Sequence, residues 1–397
     1  MIVLTQNYKM RNNRILYIAL LTGLLSSCSV IRGLHKDGKD GPTTFSFHQR
    51  ERDTIRTAKG TFSFVALPDS KRELDTLHIC EPLRGKKMQT LSERMANLSP
   101  NQTTIIIRND TIIYEKSSGT YTPTTNATIF SVSKSITSLL CGIAVDEGYI
   151  KSIDDPVTDY LPELKSKHPY WQELTIRHLL NMQSGLKMED TYSLNRKGLG
   201  NLRKMADLQY SHNVMKLVKR LKFRCEPGTT HNYCSIDTQV LGLVIERATH
   251  QSLAGYLSEK VWKPLGMSHD GYITIDSRKH HHSHAFGGIA TNAMDLARIG
   301  RLYLNGGVWN GRRIVSEKWI RESIAYDTTN DGYHLCWYNS YDLGIKDPAC
   351  PGTYAVGIRG QVLYINPAKH LIMVRLGANN FEYWDAAYIF EKMAQLL

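Results

Sequence analysis

Ser131 and Lys134 stand three residues apart in "IFSVSKSITSLLCGIAVDEGY" (129–149), where an apolar helical pattern begins behind small polar residues. Residues three apart on a helix share a face, so the hydroxyl and the amine can meet. Free backbone N–H groups at a helix N-terminus favour developing negative charge. Burial and the positive helix end both lower the pKa of a lysine, which must be neutral to act as a base. That is the logic of an activated serine nucleophile. The spacing alone is weak evidence, since roughly one or two Ser-x-x-Lys pairs are expected by chance at ordinary residue usage. Ser184 and Lys187 form another, but they straddle Gly185, past the end of a helical run. Only Ser131 has the first-turn position.

A second patch is "EPGTTHNYCSIDTQVLG" (226–242). Tyr-x-Ser or Tyr-x-Asn also occurs at Tyr256, Tyr303, Tyr338 and Tyr364, all within helical or strand patterns. Tyr233 instead lies between a Pro-Gly loop and a new helix, a setting in which side chains line clefts. A phenol near Lys134 can shuttle a proton between serine and leaving group, and Ser235 can join that network. The third patch is "YAVGIRGQVLYINP" (354–367). Gly357 and Gly360 weaken an aromatic and β-branched strand, which suggests close approach of another group. There the N–H of Ile358, with that of Ser131, would form an oxyanion hole. A β-bulge at a sheet edge would explain Gly357 equally well.

The elements that must position these patches follow from periodicity. Met88, Leu91, Met95 and Leu98 recur at helical spacing and predict a helix over 86–98. Two β-branched runs flank Asn109-Asp110 in "TTIIIRNDTIIYEKSSG", a hairpin signal. Helices are expected from Ile129, over "LTIRHLLNMQSGL" with its stop at Gly185, over 210–225, as a pair within 236–264 around a turn after His250, and from Thr291 or Asn292 to Gly306. Strands return at "YHLCWYN", "TYAVGIRGQVLYIN" and "HLIMVRLGA", the last two joined by "PAK", and "FEYWDAAYIFEKMAQLL" closes the chain as an amphipathic helix. Hairpin connections favour an antiparallel sheet. The expected class is α/β of the α+β kind: one antiparallel sheet shared by front and back strands, flanked by N- and C-terminal helices, with a helical lobe between.

The chain has 397 residues, 42% apolar and 22% charged, enough for a large core. Arg11 and Arg14 precede a short apolar run, Ile15–Leu25, too short to span a bilayer comfortably and typical of an export signal. "LSSC" then resembles a bacterial lipobox in which Cys28 is lipidated. The expected layout is a lipoprotein signal peptide at 1–28, a polar, partly disordered tether at 29–75, and one catalytic domain at 76–397. The expected place is the bacterial cell envelope, anchored by lipid to the periplasmic side of the outer membrane. There the remaining cysteines, Cys80, Cys141, Cys225, Cys234, Cys336 and Cys350, can form disulfides, although Cys141 lies in an apolar helix and reads as a buried free thiol. Net charge is +12, but the basic residues are scattered with no aromatic-interleaved stripe, so no nucleic-acid partner is expected.

Taken together, "FSVSKSITSLL", "LTIRHLLNMQSGL", "PGTTHNYCSIDTQVLG", "LAGYLSEKVWKPLGM", "GGIATNAMDLARIGRLYLNGG" and "GIRGQVLYINP" resemble the serine β-lactamase-related hydrolases. The similarity is greatest to their class C, esterase and 6-aminohexanoate-dimer hydrolase side, from about Lys86 to the C-terminus. The resemblance implies a β-lactamase/transpeptidase-like fold, with Ser131 as nucleophile, Lys134 as its base partner and Tyr233 as proton relay. Ser235 takes a place often held by Asn, and Gly357 and Ile358 border the pocket. It implies no cofactor and a small ester, amide or peptide substrate. The third motif departs from the usual Lys-Thr-Gly and reads Ala355-Val356-Gly357, which puts strong β-lactam hydrolysis in doubt. Arg359 could supply a substitute carboxylate clamp, and a plain surface arginine is an equal reading. One competing reading is a catalytically idle lipoprotein that binds penicillins or cell-wall peptides in the same pocket. Another is a metal hydrolase built on "KHHHSHAFGG" (279–288), disfavoured because Phe286 stands where a ligand is expected and no H-E-x-x-H occurs.

Overall fold

The computed structural model describes residues 28–66, 74–80, 88–91, 93, 99–188, 190, 196–345, 351–378 and 383–397. Its centre is an eight-stranded sheet in the order Tyr333–His334, Trp337–Asn339, Thr353–Gly357, Gln361–Asn366, Leu371–Gly377, Gln102–Arg108, Thr111–Ser118, Val65–Ala66. Every neighbour pair is antiparallel except the last, where Val65–Ala66 runs parallel to Thr111–Ile112. Front and back strands therefore share one sheet, joined where Leu371–Gly377 pairs with Gln102–Arg108. The front hairpin turns at Asn109 (φ 49°) and Asp110 (φ 62°), the two positive values a type I′ turn requires.

Both faces of this sheet are covered, and the side chains sort by the two-residue period of a strand. Ile105, Ile107, Leu363, Ile365, Ile372 and Val374 point into the larger core with the serine helix (Val132–Asp146) and the helix Ala293–Leu304. Ile106, Val362, Tyr364, Leu371 and Met373 point the other way, under the C-terminal helix Tyr383–Leu396. Two-sided burial explains why "TTIIIR" shows no polar alternation. The helical lobe adds Ile176–Leu180, capped by Thr175, and Ser235–Thr249, which ends on His250 in the left-handed region as expected. Asn292 caps Ala293–Leu304 by accepting from the Asp295 N–H.

Several expectations need correction. Met88–Thr90 is a strand paired with His78–Cys80, with only Leu91 and Glu93 helical; the rest of the expected 86–98 helix lies outside the described residues. β-hairpin pairing there overrides a weak helical period. The 29–75 tether is folded over much of its length. Arg52–Ile55 is the edge strand of a second sheet, paired with Gly271–Thr274, then Ile289–Thr291 and Ala127–Thr128. A short helix, Cys28–Asp37, packs on the helix Arg196–Tyr210. Ion pairing permits this in so polar a stretch: Arg50 is bonded to a buried Asp37, which also accepts from Tyr210 Oη at 2.6 Å.

The helix expected to stop at Gly185 ends at Leu180, because Met182 already has φ 55°. The 210–225 helix is reduced to Val214–Val218, preceded by Arg196–Tyr210. "TYAVGIRGQVLYIN" is two strands, not one; Arg359 (φ 65°) and Gly360 (φ 82°) turn the chain so that Gly357 pairs with Gln361. Cys141, Cys225, Cys234 and Cys336 are free thiols, and Cys141 is buried in the serine helix as expected. The Cys80 side chain and Cys350 lie outside the described residues, as do residues 1–27 of the expected signal peptide.

Candidate active site

Strand, turn and helix converge at Ser131. Ala127–Thr128 pairs with the strand Ile289–Thr291, and the Ile129 N–H continues that ladder by donating to the Ile289 carbonyl at 2.9 Å. The chain then passes through Phe130 at φ 46°, a costly value for an aromatic residue, and enters the helix at Ser131. Ser131 occupies the N-cap position, yet its side chain makes no capping bond. Its Oγ instead accepts from Lys134 Nζ at 2.8 Å.

Lys134 is 2% exposed. Its amine also donates to the Phe286 carbonyl at 2.8 Å and lies 5.1 Å from the centroid of the Tyr233 ring. Burial pushes the amine down from the usual lysine range to about 8, with the charge of Asp190 pulling the other way. The Phe286 carbonyl is presented by a tight turn in which the Gly288 N–H donates to His284 O at 2.8 Å.

The second patch arrives on the start of the helix Ser235–Thr249. The Asn232 N–H donates to the Met182 carbonyl at 2.8 Å, and this fixes the loop that carries Tyr233. The Tyr233 ring meets Tyr333 edge-on at 5.9 Å and lies roughly parallel to Tyr338 at 6.3 Å. Ser235 is buried, and both its N–H (3.0 Å) and its Oγ donate to the carboxylate of Asp190. Burial raises the Asp190 carboxyl, and the Lys134 charge and the Ser235 bonds oppose that rise.

The third patch closes the other side. A Cβ on Gly357 would stand 2.4 Å from the Ile129 carbonyl and 3.1 Å from the Ser131 nitrogen, so the strand passes flush against the turn before the serine helix. That is the close approach anticipated from the glycine, and no β-bulge interrupts the pairing of Thr353–Gly357 with Gln361–Asn366. Ile358 begins the turn that follows. The turn is braced from below: buried Arg375 donates to the Gly360 carbonyl at 2.6 Å and to Gln102 at 2.7 Å, and Gln361 donates to Gly377 O at 2.6 Å. Arg359 points elsewhere; its guanidinium donates to Pro42 O (2.7 Å) and Asp40 O (3.0 Å). A carboxylate clamp there would have to give up both bonds.

The structure thus brings Ser131, Lys134, Tyr233, Ser235 and Gly357 to one site and assigns Arg359 to the N-terminal segment. Sequence reasoning missed Asp190, the Phe286 carbonyl and Arg375. Nothing local to Asp190 marks it, and a backbone carbonyl has no residue signature, although the Gly-Gly after Phe286 does signal a tight turn. The second Ser-x-x-Lys pair resolves differently: buried Ser184 donates to Asp237 Oδ1 at 2.6 Å, while Lys187 is exposed. The histidines disperse as well, His281 to Asp53, His282 to Glu246 and buried His284 to Thr274. Among the described residues no cluster of three or more His, Cys, Asp or Glu is placed to hold a metal.

Relatives carry names that fit this geometry. A 6-aminohexanoate-dimer hydrolase from Paenarthrobacter ureafaciens is 28% identical over 293 residues, 69% of this chain and 71% of its own. A Salmonella enteritidis protein provisionally named a D-alanyl-D-alanine carboxypeptidase is 23% identical over 59% of this chain and 64% of its own. Among solved structures, a Bacillus anthracis protein provisionally named a 6-aminohexanoate-dimer hydrolase matches with TM-score 0.75 at 19% identity, covering 93% of this chain and 95% of its own. The D-alanine carboxypeptidase AmpC from Burkholderia cenocepacia matches with TM-score 0.57 at 19% identity, covering 77% and 97%. The Beta-lactamase family model matches residues 89–397, more than three quarters of the chain, and with this fold the protein belongs to the Beta-lactamase family.

Proposed function

We propose that the protein is a serine hydrolase that cleaves an ester or amide through an acyl-enzyme on Ser131. The observation that carries this reading is the buried amine of Lys134 at 2.8 Å from Ser131 Oγ, its pKa lowered to about 8. Ser131 Oγ attacks the substrate carbonyl and passes its proton to neutral Lys134. The N–H groups of Ser131 and Ile358 receive the oxyanion. Lys134 and Tyr233 return a proton to the leaving alkoxide or amine, and water then releases the acyl group by the same path in reverse. Substrates are short esters, amides or D-amino-acid peptides. β-Lactams are poorer, because Ala355-Val356-Gly357 carries no cation to hold their carboxylate. We also propose an exported lipoprotein form in which Cys28, exposed at the first residue of its helix, is lipidated and holds the enzyme in the cell envelope.

Four outcomes are expected. Ser131→Ala abolishes both labelling by a fluorophosphonate and hydrolysis of a chromogenic ester, whereas Ser184→Ala keeps the label; the reverse pattern would overturn the assignment. Labelling of the parent without turnover on any ester, amide or D-peptide would instead identify a binding protein.

Gly357→Ala drives a methyl group into the Ile129 carbonyl and displaces the Ser131 N–H. A loss of about 10²–10³ in kcat is expected, the size seen when one oxyanion donor is removed. Stopped-assay kinetics on a p-nitrophenyl ester, with thermal melting as a control for folding, check this.

Hydrolysis rises with pH as Lys134 loses its proton near pH 8. Asp190 holds that proton on, so Asp190→Asn moves the acid limb of the kcat/KM profile to lower pH, and an unmoved or raised limb would contradict the coupling. Lastly, alkyne-palmitate fed to expressing bacteria labels the parent and not Cys28→Ala; equal labelling of both would remove the lipoprotein reading.

A further inference from the structure

Residues 40–44 are bonded to both of the elements that carry the proposed oxyanion donors. On one side, half-buried Arg359, the residue after Ile358, donates to the Pro42 carbonyl at 2.7 Å and to the Asp40 carbonyl at 3.0 Å. On the other side, the Thr128 N–H, three residues before Ser131, donates to the Thr44 carbonyl at 2.7 Å. Thr44 is 1% exposed, and its Oγ1 shares a hydrogen bond with Tyr121 Oη at 2.6 Å. The two elements themselves meet where Gly357 passes against Ile129. The short strap of residues 40–44 therefore bridges that junction. From the sheet, the same turn is held by Arg375, which donates to the Gly360 carbonyl at 2.6 Å, and by Gln361, which donates to the Arg359 carbonyl at 2.9 Å.

Two backbone positions bear on what this contact does. Arg359 has φ 65°, a left-handed value that glycine adopts freely and a residue with a Cβ does not. A turn that needed only this shape would be served best by glycine, as at the next position, Gly360, with φ 82°. The arginine persists there because its two bonds to the strap hold it. The strap has a matching feature. Gly41 stands between the two accepting carbonyls at φ 69°, and a Cβ added to it would meet nothing within 4 Å. Backbone shape, not crowding, requires that glycine.

We infer that Arg359 is a positioning residue for the oxyanion donor of Ile358, acting through the strap of residues 40–44. With Arg359 on Asp40 and Pro42, and Thr44 on Thr128, the turn of Ile358 and the approach to Ser131 are fixed to one short piece of chain. The two N–H groups then keep a constant separation. Arg359 acts through the turn and not on the substrate. An oxyanion donor works only when aimed where charge develops, and a misplacement of about 1 Å can cost on the order of 10²-fold. The inference rests on the serine hydrolase reading for turnover, but not on which ester or amide is cleaved.

The test uses the full chain and two readouts: kcat and KM on a p-nitrophenyl ester, and the rate at which a fluorophosphonate labels Ser131. Arg359→Asn keeps a residue type that tolerates left-handed φ but is too short to reach the strap. Gly41→Ala strains the strap without crowding anything. Each is expected to lower kcat and the labelling rate by about 10- to 100-fold, with KM near that of the parent and the protein still folded by thermal melting. That is the pattern of an interaction made only in the transition state. Combined, the two cost no more than the larger single loss, because both open one clasp. Gly60→Ala, at φ 95° with nothing within 4 Å of its Cβ, strains the chain elsewhere and leaves kcat unchanged. Unchanged kcat and labelling in either single variant, losses confined to KM, losses that multiply in the double variant, or an equal loss in Gly60→Ala would each overturn the proposal. A parent that is labelled but never turns over removes the hydrolase reading and leaves the labelling rates to decide on Arg359. A parent that is neither labelled nor active overturns both.

Discussion

The burial of one lysine amine governs the rest of this site. Full removal from water lowers a lysine by up to about 3–5 units. Lys134 falls only from the usual 10.5 to about 8. The difference is held back by the nearby Asp190 charge, while the Ser131 hydroxyl and the Phe286 carbonyl give the amine its two hydrogen-bond partners. The balance matters. With tenfold population change per unit, a pKa of 8 leaves about one molecule in ten neutral at pH 7, whereas a free surface lysine offers almost none. Deeper burial without Asp190 would give more base of lower strength.

Holding the amine there constrains several backbones at once. The serine must start a helix without capping it, and Phe130 at φ 46° supplies the bend that turns Ser131 Oγ toward Lys134. The carbonyl of Phe286 must point inward, so the chain folds tightly over Gly287 and Gly288. The strand Thr353–Gly357 must approach within the space that a single methyl group would fill, and buried Arg375 props its turn from the far side of the sheet. The eight-stranded sheet and the smaller sheet meet around this point. The first carries Gly357 and the second delivers Ile129, so the close approach is held by hydrogen-bonded strands on both sides.

Much of this was legible in residue order, for identifiable reasons. Asn109-Asp110, His250 and Asn292 act through local backbone chemistry and fell where their residue types predict. Ser131 and Lys134 are three apart, so a helix alone brings them together. Gly357 announced a close approach without saying to what. What stayed hidden is non-local. Asp190 and Ser235 are 45 residues apart and joined only by the fold. The helix at 28–37 and the edge strand at 52–55 were obscured by their polarity, because their stability comes from Asp37, Arg50 and Tyr210 meeting across the fold. The two-strand reading of 353–366 was missed because a β-branched, aromatic run looks continuous until Arg359 and Gly360 take positive φ.

Arg359 shows how a side chain's partner in the fold can differ from the one its place in the chain suggests. Its place beside the oxyanion turn suggested a cation for a substrate carboxylate. In the fold, that cation is directed to two backbone carbonyls of the N-terminal segment, and the charge that acts most strongly on Lys134 is that of Asp190. A carboxylate presented beside Gly357 would therefore meet no committed positive partner on that strand, and would lie in the field of a buried acid. Neutral esters and amides carry no such penalty. The same two bonds tie the turn that carries Ile358 to residues 40–42, so a segment outside the family match is built into the frame of the candidate site.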